Sequence, residues 1–205
     1  MVEPAAVAPV AAGGARELTR RAVRAQVSQL AVALVFEQGF DATTVDDICA
    51  VAGISRSTFF RYFPTKEAAL FGDMADAGTE LLAALQARPE DEAPWVALRR
   101  ASDPLIDRYL GDPAQALRFA KLITGTPTLA AWHREKNAHE YELLRPELAR
   151  RLGIDAADAS DPRVSALLAA ALGCVDAAVA AWVEVGEEAR LGDLLDRAMG
   201  AIASA

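Results

Sequence analysis

Residues 52–71 read AGISRSTFFRYFPTKEAALF, and these twenty positions hold two arginines, a lysine, four phenylalanines and a tyrosine. The remainder of the 205-residue chain is acidic, rich in alanine and sparing with rings, since only 6% of all residues are aromatic. Ser55 is a helix cap and Pro64 a helix stop, so the spacing predicts a short helix from Arg56 to Phe63. On a 100° wheel Phe59 and Phe63 fall on one face, with Arg56 at its edge. Ser57, Thr58 and Arg61 face the other way, flanked by Phe60 and Tyr62. Two rings thus anchor the helix to a small core, and the other rings and cations form an outward rim. About fifty residues bury little surface, so such anchors are needed.

Upstream, TTVDDICAVA opens a helix capped by Thr44, with Asp47 three residues on in a close variant of the capping box. Val45, Ile48 and Ala52 point inward there, and Gly53 closes it. A preceding helix is expected from about Thr19, its cap, to Gln38, with Val23, Val27, Leu30 and Leu34 as its stripe, widened by Ala31 and Val35, and Gly39 at its end. Downstream, Thr65 caps a fourth helix that is expected to continue to about Ala87. Two short helices joined by a tight glycine turn make a helix-turn-helix, whose second helix reads DNA.

The stretch from Thr19 to Phe71, above all GFDATTVDDICAVAGISRSTFFRYFPTKEAALF, resembles the DNA-binding domain of the TetR (tetracycline repressor) family. The resemblance implies a homodimeric bacterial repressor with a three-helix reading head and a large helical body that binds a small molecule. Carried onto this chain, it implies that Thr44 and Lys66 contact phosphates from helix N-termini. Arg56, Ser57, Thr58, Phe60, Arg61 and Tyr62 would lie at the DNA surface, with Ser55 beside them as cap. Position 60 is often tyrosine in the family; Phe60 lacks the hydroxyl, and the phosphate bond it would make is expected to be absent.

The residue chemistry agrees. Arg56 and Arg61 suit bidentate contact with guanine or phosphate, and Ser57 and Thr58 suit base edges or a thymine methyl. Arg16, Arg20, Arg21 and Arg24 stand where the first helix begins, placed for backbone or minor-groove contact.

The net charge of −8 divides unevenly. Residues 16–71 carry +1, while 72–205 carry −8. We expect an all-α chain of two domains, 16–71 and 72–205, behind a disordered tail over 1–15. The 53% hydrophobic content is ample for a core, and β-type alternation is missing. Body helices are expected at about 94–110, 113–124, 127–151, 162–186 and 190–203, with Pro104 and Pro146 able to kink or split theirs.

The segment 164–183 is about as long as a bilayer span, but Asp176 near its middle opposes insertion by roughly 2.5–3.5 kcal/mol. It reads as a buried helix of a soluble protein. Its stripe, Val164, Leu168, Ala171, Val175, Val179 and Trp182, faces an alanine-rich back, so a second cover is needed. Two-fold packing of the helices at 162–186 and 190–203 supplies it, and the resemblance implies the same surface. A dimer would meet an imperfect palindrome at successive major grooves.

Trp95, Phe119, Trp132, Tyr141 and Trp182 are candidate lining residues of an apolar effector pocket, with His133 as a polar group inside it. Trp132, His133 and Tyr141 share one expected helix. Asp176 is expected to pair with an arginine, to be capped by hydroxyls, or to meet a ligand's polar end. The body, with LITGTPTLAAW and AALGCVDAAVAAWVE, resembles family regulators that take fatty-acyl or acyl-CoA-like ligands.

No phosphate loop, GxSxG, HExxH or Cys/His cluster occurs, and His133 and His139 stand about 120° apart on a helix. No catalytic residues, metal or cofactor are expected. Cys49 and Cys174, far apart, fit buried reduced thiols in a cytoplasmic protein. The expected function is a ligand-responsive repressor; an activator of the same fold is the alternative.

Overall fold

The computed structural model describes residues 12–72, 77–158 and 160–204, and among these the regular structure is helical. The chain forms two compact units, 1–75 and 76–205.

In the first unit, α1 spans Ala12–Gln38, α2 Val45–Ala52, α3 Arg56–Tyr62 and α4 Lys66–Leu70. α1 packs on α2 and α4, and α2 packs on α3. Thr19 does not cap α1 but lies inside it, because the helix already begins at Ala12. No proline intervenes between Ala12 and Thr19, so the extension upstream meets no hard stop despite the poor helix propensity of Gly13 and Gly14. The tail expected over 1–15 is therefore helical from 12 on, and residues 1–11 lie outside the described part.

The buried seam of α1 keeps Val27, Ala31 and Val35 of the expected stripe and shifts toward Ser28 and Val32. Val27, Ser28, Ala31, Val32 and Val35 are buried, whereas Val23, Leu30 and Leu34 are half-buried. The cause is close approach: Ala31 offers no bulk, and buried Ser28 donates to the Leu70 carbonyl at 3.3 Å. Gly72 tightens the same corner. A Cβ on it would stand 2.7 Å from the Phe63 ring, so glycine is required there.

Thr44 caps α2 in a full capping box. The Asp47 amide donates to Thr44 Oγ1 at 3.2 Å, and the Thr44 amide donates to Asp47 Oδ2 at 2.9 Å. Gly53 ends α2 at φ 66°, a left-handed position that glycine fills at little cost. Ile48 is fully buried, while Val45 and Ala52 are half-buried. Ser55 and Thr65 cap α3 and α4.

The fourth helix is shorter than expected. α4 stops at Leu70, and the next described helix, α5, spans Ala77–Gln86. Buried Leu70, Phe71 and Gly72 fix the exit from the head, and the helical periodicity of the sequence does not report that stop.

The second unit continues with α6 Pro94–Ala101, α7 Asp103–Leu110, α8 Pro113–Gly125, α9 Pro127–Glu142, α10 Arg145–Leu152, α11 Arg163–Val185 and α12 Leu191–Ala203. Both expected long helices divide: 94–110 at Ser102, ahead of Pro104, and 127–151 at Leu143–Leu144, ahead of Pro146. Each proline falls in the first turn of the new helix, where an amide donor has no partner to lose.

Two apolar clusters hold this unit. The first joins Leu81, Leu85, Leu98, Leu144, Leu148 and Leu168. The second joins Ile106, Leu117, Cys174, Trp182, Leu195 and Met199. α11 runs through both. Its buried line is Val164, Leu168, Ala171, Cys174, Ala178 and Trp182, so Val175 and Val179 flank the line instead of forming it. The segment Arg163–Glu188 is long and apolar enough to cross a membrane, yet α11 packs on α12, α8 and α10.

Candidate nucleic-acid interface

Local chemistry builds the rim of α3. Ser55 accepts from the Thr58 amide at 3.1 Å and donates to Thr58 Oγ1 at 3.0 Å, which fixes the first turn. Phe59 and Phe63 are fully buried, with ring centroids 5.4 Å apart. That pins one face and turns Arg56, Ser57, Phe60 and Arg61 outward, all exposed, with Thr58 and Tyr62 half-buried beside them. Phe60 is 48% exposed, large for a phenyl ring, and stands edge-on to Phe59.

The cations are held at the surface. The Arg61 guanidinium lies 5.2 Å from the Tyr62 ring centroid, and that of Arg56 lies 5.8 Å from Phe60. Such stacking keeps a positive charge extended without spending its hydrogen-bond donors. Arg56 Nη1 also donates to both carboxylate oxygens of Asp46, at 2.7 and 2.8 Å.

Two expected phosphate contacts are already engaged. Lys66 Nζ donates to the carbonyls of Phe40 and Thr43 at 2.7 and 2.8 Å and lies 3.9 Å from the Phe40 ring centroid. It therefore braces the turn before α2, a role its place at a helix start does not reveal. Thr44 is exposed, but its hydroxyl donates to Asp47 Oδ2 at 2.6 Å. That bond holds the Asp47 carboxyl below the usual range.

On α1, Arg20 donates to both oxygens of Glu17 at 2.9 Å, and Arg24 lies 5.3 Å from the Phe63 ring centroid. Arg16, Arg20 and Arg24 follow at four-residue steps, so they share one side of the helix. Asp46, Phe40 and Gly72 were missed by sequence reasoning. Their partners are reached through turns, where helical spacing gives no signal.

The aromatic set of the second unit is divided between buried and half-buried positions. Trp182 is buried in the second cluster, and Trp95 packs beside both clusters with its Nε1 donating to the Met199 carbonyl at 3.3 Å. Phe119, Trp132, His133 and Tyr141 are half-buried. Trp132 and Tyr141, nine residues apart on α9, stand about half a turn apart on that helix. Asn137 bonds His133 Nε2 at 2.9 Å. Burial, with the charges of Lys136 and Arg134, pushes the imidazole pKa down to about 4, so the ring is neutral at pH 7. Partial desolvation raises the carboxyl of exposed Asp176, and the charge of Arg134 opposes that rise. Cys49 and Cys174 are free and buried. Among the described residues no group of three or more His, Cys, Asp or Glu could hold a metal ion.

A capped, ring-anchored helix with an exposed cationic rim, standing after a glycine turn, defines a helix-turn-helix regulator. Residues 29–71 match the model of bacterial regulatory proteins of the tetR family, and residues 92–205 match that of the MftR C-terminal domain. The chain belongs to the TetR family of bacterial transcriptional regulators and is a DNA-binding protein of that class. It is 29% identical to the regulator TcmR of Streptomyces glaucescens over 168 residues, 79% of this chain and 74% of that one. It is 33% identical to the transcriptional regulator MftR of Mycobacterium tuberculosis over 131 residues, 62% of this chain and 64% of that one. The TetR-family repressor FadR of Thermus thermophilus, solved with lauroyl-CoA, has the same fold. Its TM-score is 0.52 at 23% identity, covering 88% of this chain and 93% of that one.

Proposed function

We propose that the protein represses transcription by binding an imperfect palindrome as a homodimer and leaves it when a small hydrophobic effector enters the body, acting in the cytoplasm. The observation that carries this reading is α3: Phe59 and Phe63 are fully buried while Arg56, Ser57, Phe60 and Arg61 are exposed. A helix so fixed can enter a major groove without losing side-chain contacts to its own core. Ser55, Ser57, Thr58, Tyr62 and Arg20 complete the proposed DNA face. Thr44 and Lys66 act at its edge by holding the turn before α2, and any phosphate contact they make is additional to that.

The back of α11 supports the dimer. Ala166, Ala169, Gly173, Ala177 and Ala180 are exposed in one line, which allows close helix approach. Val185 and Ile202 are each 53% exposed near the ends of α11 and α12. Covering such apolar surface favours association at roughly 25 cal/mol per Å² before the entropy of docking is counted. Two heads could then meet grooves about 34–36 Å apart.

An effector that favours a state unfit for the operator weakens DNA binding by the factor that DNA weakens its own binding, typically about 5–150-fold. Half-buried Phe119, Trp132, His133 and Tyr141 remain candidates for its site, and lauroyl-CoA, the ligand solved with the T. thermophilus repressor, is the first probe. An activator working through the same head is the second reading.

The test is a gel shift with the DNA upstream of the protein's own gene, across a salt series. A log–log slope near −0.9 per phosphate contact is expected. Arg61→Ala should cost roughly 1–3 kcal/mol and relax preference at one base. Indifference to every duplex at low salt would overturn the proposal.

A further inference from the structure

The Arg56–Asp46 pair spans the glycine turn from the second residue of α2 to the first of α3, ten positions along the chain. Its side chains are 61% and 64% exposed, and ion pairs this open contribute little to stability. The fold therefore gains little from Asp46, yet an acidic group sits against a leading cation of a surface proposed to meet phosphates.

The geometry of the pair supplies a reason. Both carboxylate oxygens accept from the same nitrogen, Nη1. The fork made by Nε and Nη2 takes no part in this pair, and those two parallel donors match the O6 and N7 acceptors of guanine. The Phe60 ring lies 5.8 Å from the guanidinium carbon on another side. Carboxylate and ring together restrict an otherwise mobile side chain, and a side chain ordered in advance loses less entropy on binding. The Asp46 charge also repels phosphate, which weakens binding to every sequence alike and leaves discrimination to the base contact.

We propose that Asp46 is a specificity-determining positioning residue: it holds Arg56 across the turn so that the outer edge of the guanidinium reads one guanine in each half-site. The idea rests on the proposed DNA-facing role of α3 and goes further, naming the base and the residue that fixes its reader.

Selection of full-length protein on a randomised duplex library, read by sequencing, tests it. Wild type should enrich one guanine per half-site by about 5- to 150-fold over other bases, the range of a good bidentate contact. Arg56→Ala should erase that one preference, and Arg56→Lys, which keeps charge without the fork, should do nearly the same. Asp46→Asn should cut the preference at least fivefold, leave the other positions intact, and leave binding to unselected duplex unchanged or tighter. Asp46→Glu, with a similar acceptor pair, should restore part of it.

If Asp46→Asn tightens binding to all sequences and keeps the guanine, Asp46 is a repulsive charge only and the inference falls. It also falls if Arg56→Ala alters no single position. Were wild type to select no sequence, the DNA-reading role of α3 would fail first, and this inference with it.

Discussion

Arg61 in the head and Arg151 in the body are held in different ways. In the head, Arg24, Arg56, Arg61 and Lys66 each lie over an aromatic ring, and Arg56 and Arg61 remain exposed. In the body, Arg151 and Arg99 are sunk into carboxylates and carbonyls. The Arg151 side chain is 1% exposed, and it donates to buried Glu147 and to the carbonyls of Leu85, Arg88 and Pro89. Arg99 joins α6 to α12 by donating to Asp196 and to the Gly192 carbonyl. The ring beside Arg61 holds that charge in place without taking up its N–H groups, whereas a carboxylate and three carbonyls consume those of Arg151. The same residue type thus serves recognition in one unit and architecture in the other.

Removing an anchor from each side gives the largest effects and should separate the two roles. Phe63→Ala removes a fully buried ring that Gly72 and Arg24 both touch. It should cost the head about 3–5 kcal/mol and abolish operator binding while most helical signal at 222 nm survives. A variant that still shifts DNA at wild-type concentration would show that the anchor is dispensable.

On the body side, Arg151→Ala leaves three carbonyls and a buried carboxylate short of a donor. A loss of about 3–5 kcal/mol in urea unfolding is expected, with Arg150 keeping partial cover of Glu147. Hydrogen bonds from Arg150 and Arg151 hold the Glu147 carboxyl below its usual range. Its contribution is therefore present above the ordinary carboxylate pKa and fades as pH falls through the lower, folded value.

A smaller effect belongs to His133. Its folded pKa of about 4 lies below the ordinary histidine value of 6.5. The unfolded chain takes up the proton first, so stability should decline as pH falls from about 6.5 to about 4, by up to about 3 kcal/mol. Thermal melts of His133→Gln across that range should be flatter than wild type. Parallel curves would place the ring in water.

Part of this was legible in one dimension. The caps at Thr44, Ser55 and Thr65, the turn at Gly53 and the burial of Phe59 and Phe63 follow from local rules, because each involves residues within four positions of one another. The burial of Ser28 in the α1 seam was hidden, since it answers to the Leu70 carbonyl, 42 residues away. Lys66 shows the same limit. Its place at a helix start suggests an outward charge, whereas two carbonyls of the turn before α2 draw it in.

What the sequence settled unaided was the helical class, the order of the helices in the head and the polarity of the α3 faces, because capping, periodicity and glycine turns are written over a few neighbouring residues. Tertiary structure alone decided which cation meets which partner: Arg56 with Asp46, Lys66 with Phe40, Arg151 with the end of α5. Those choices depend on where turns bring distant backbone, and on charges whose energies vary with distance and burial and not with spacing along the chain.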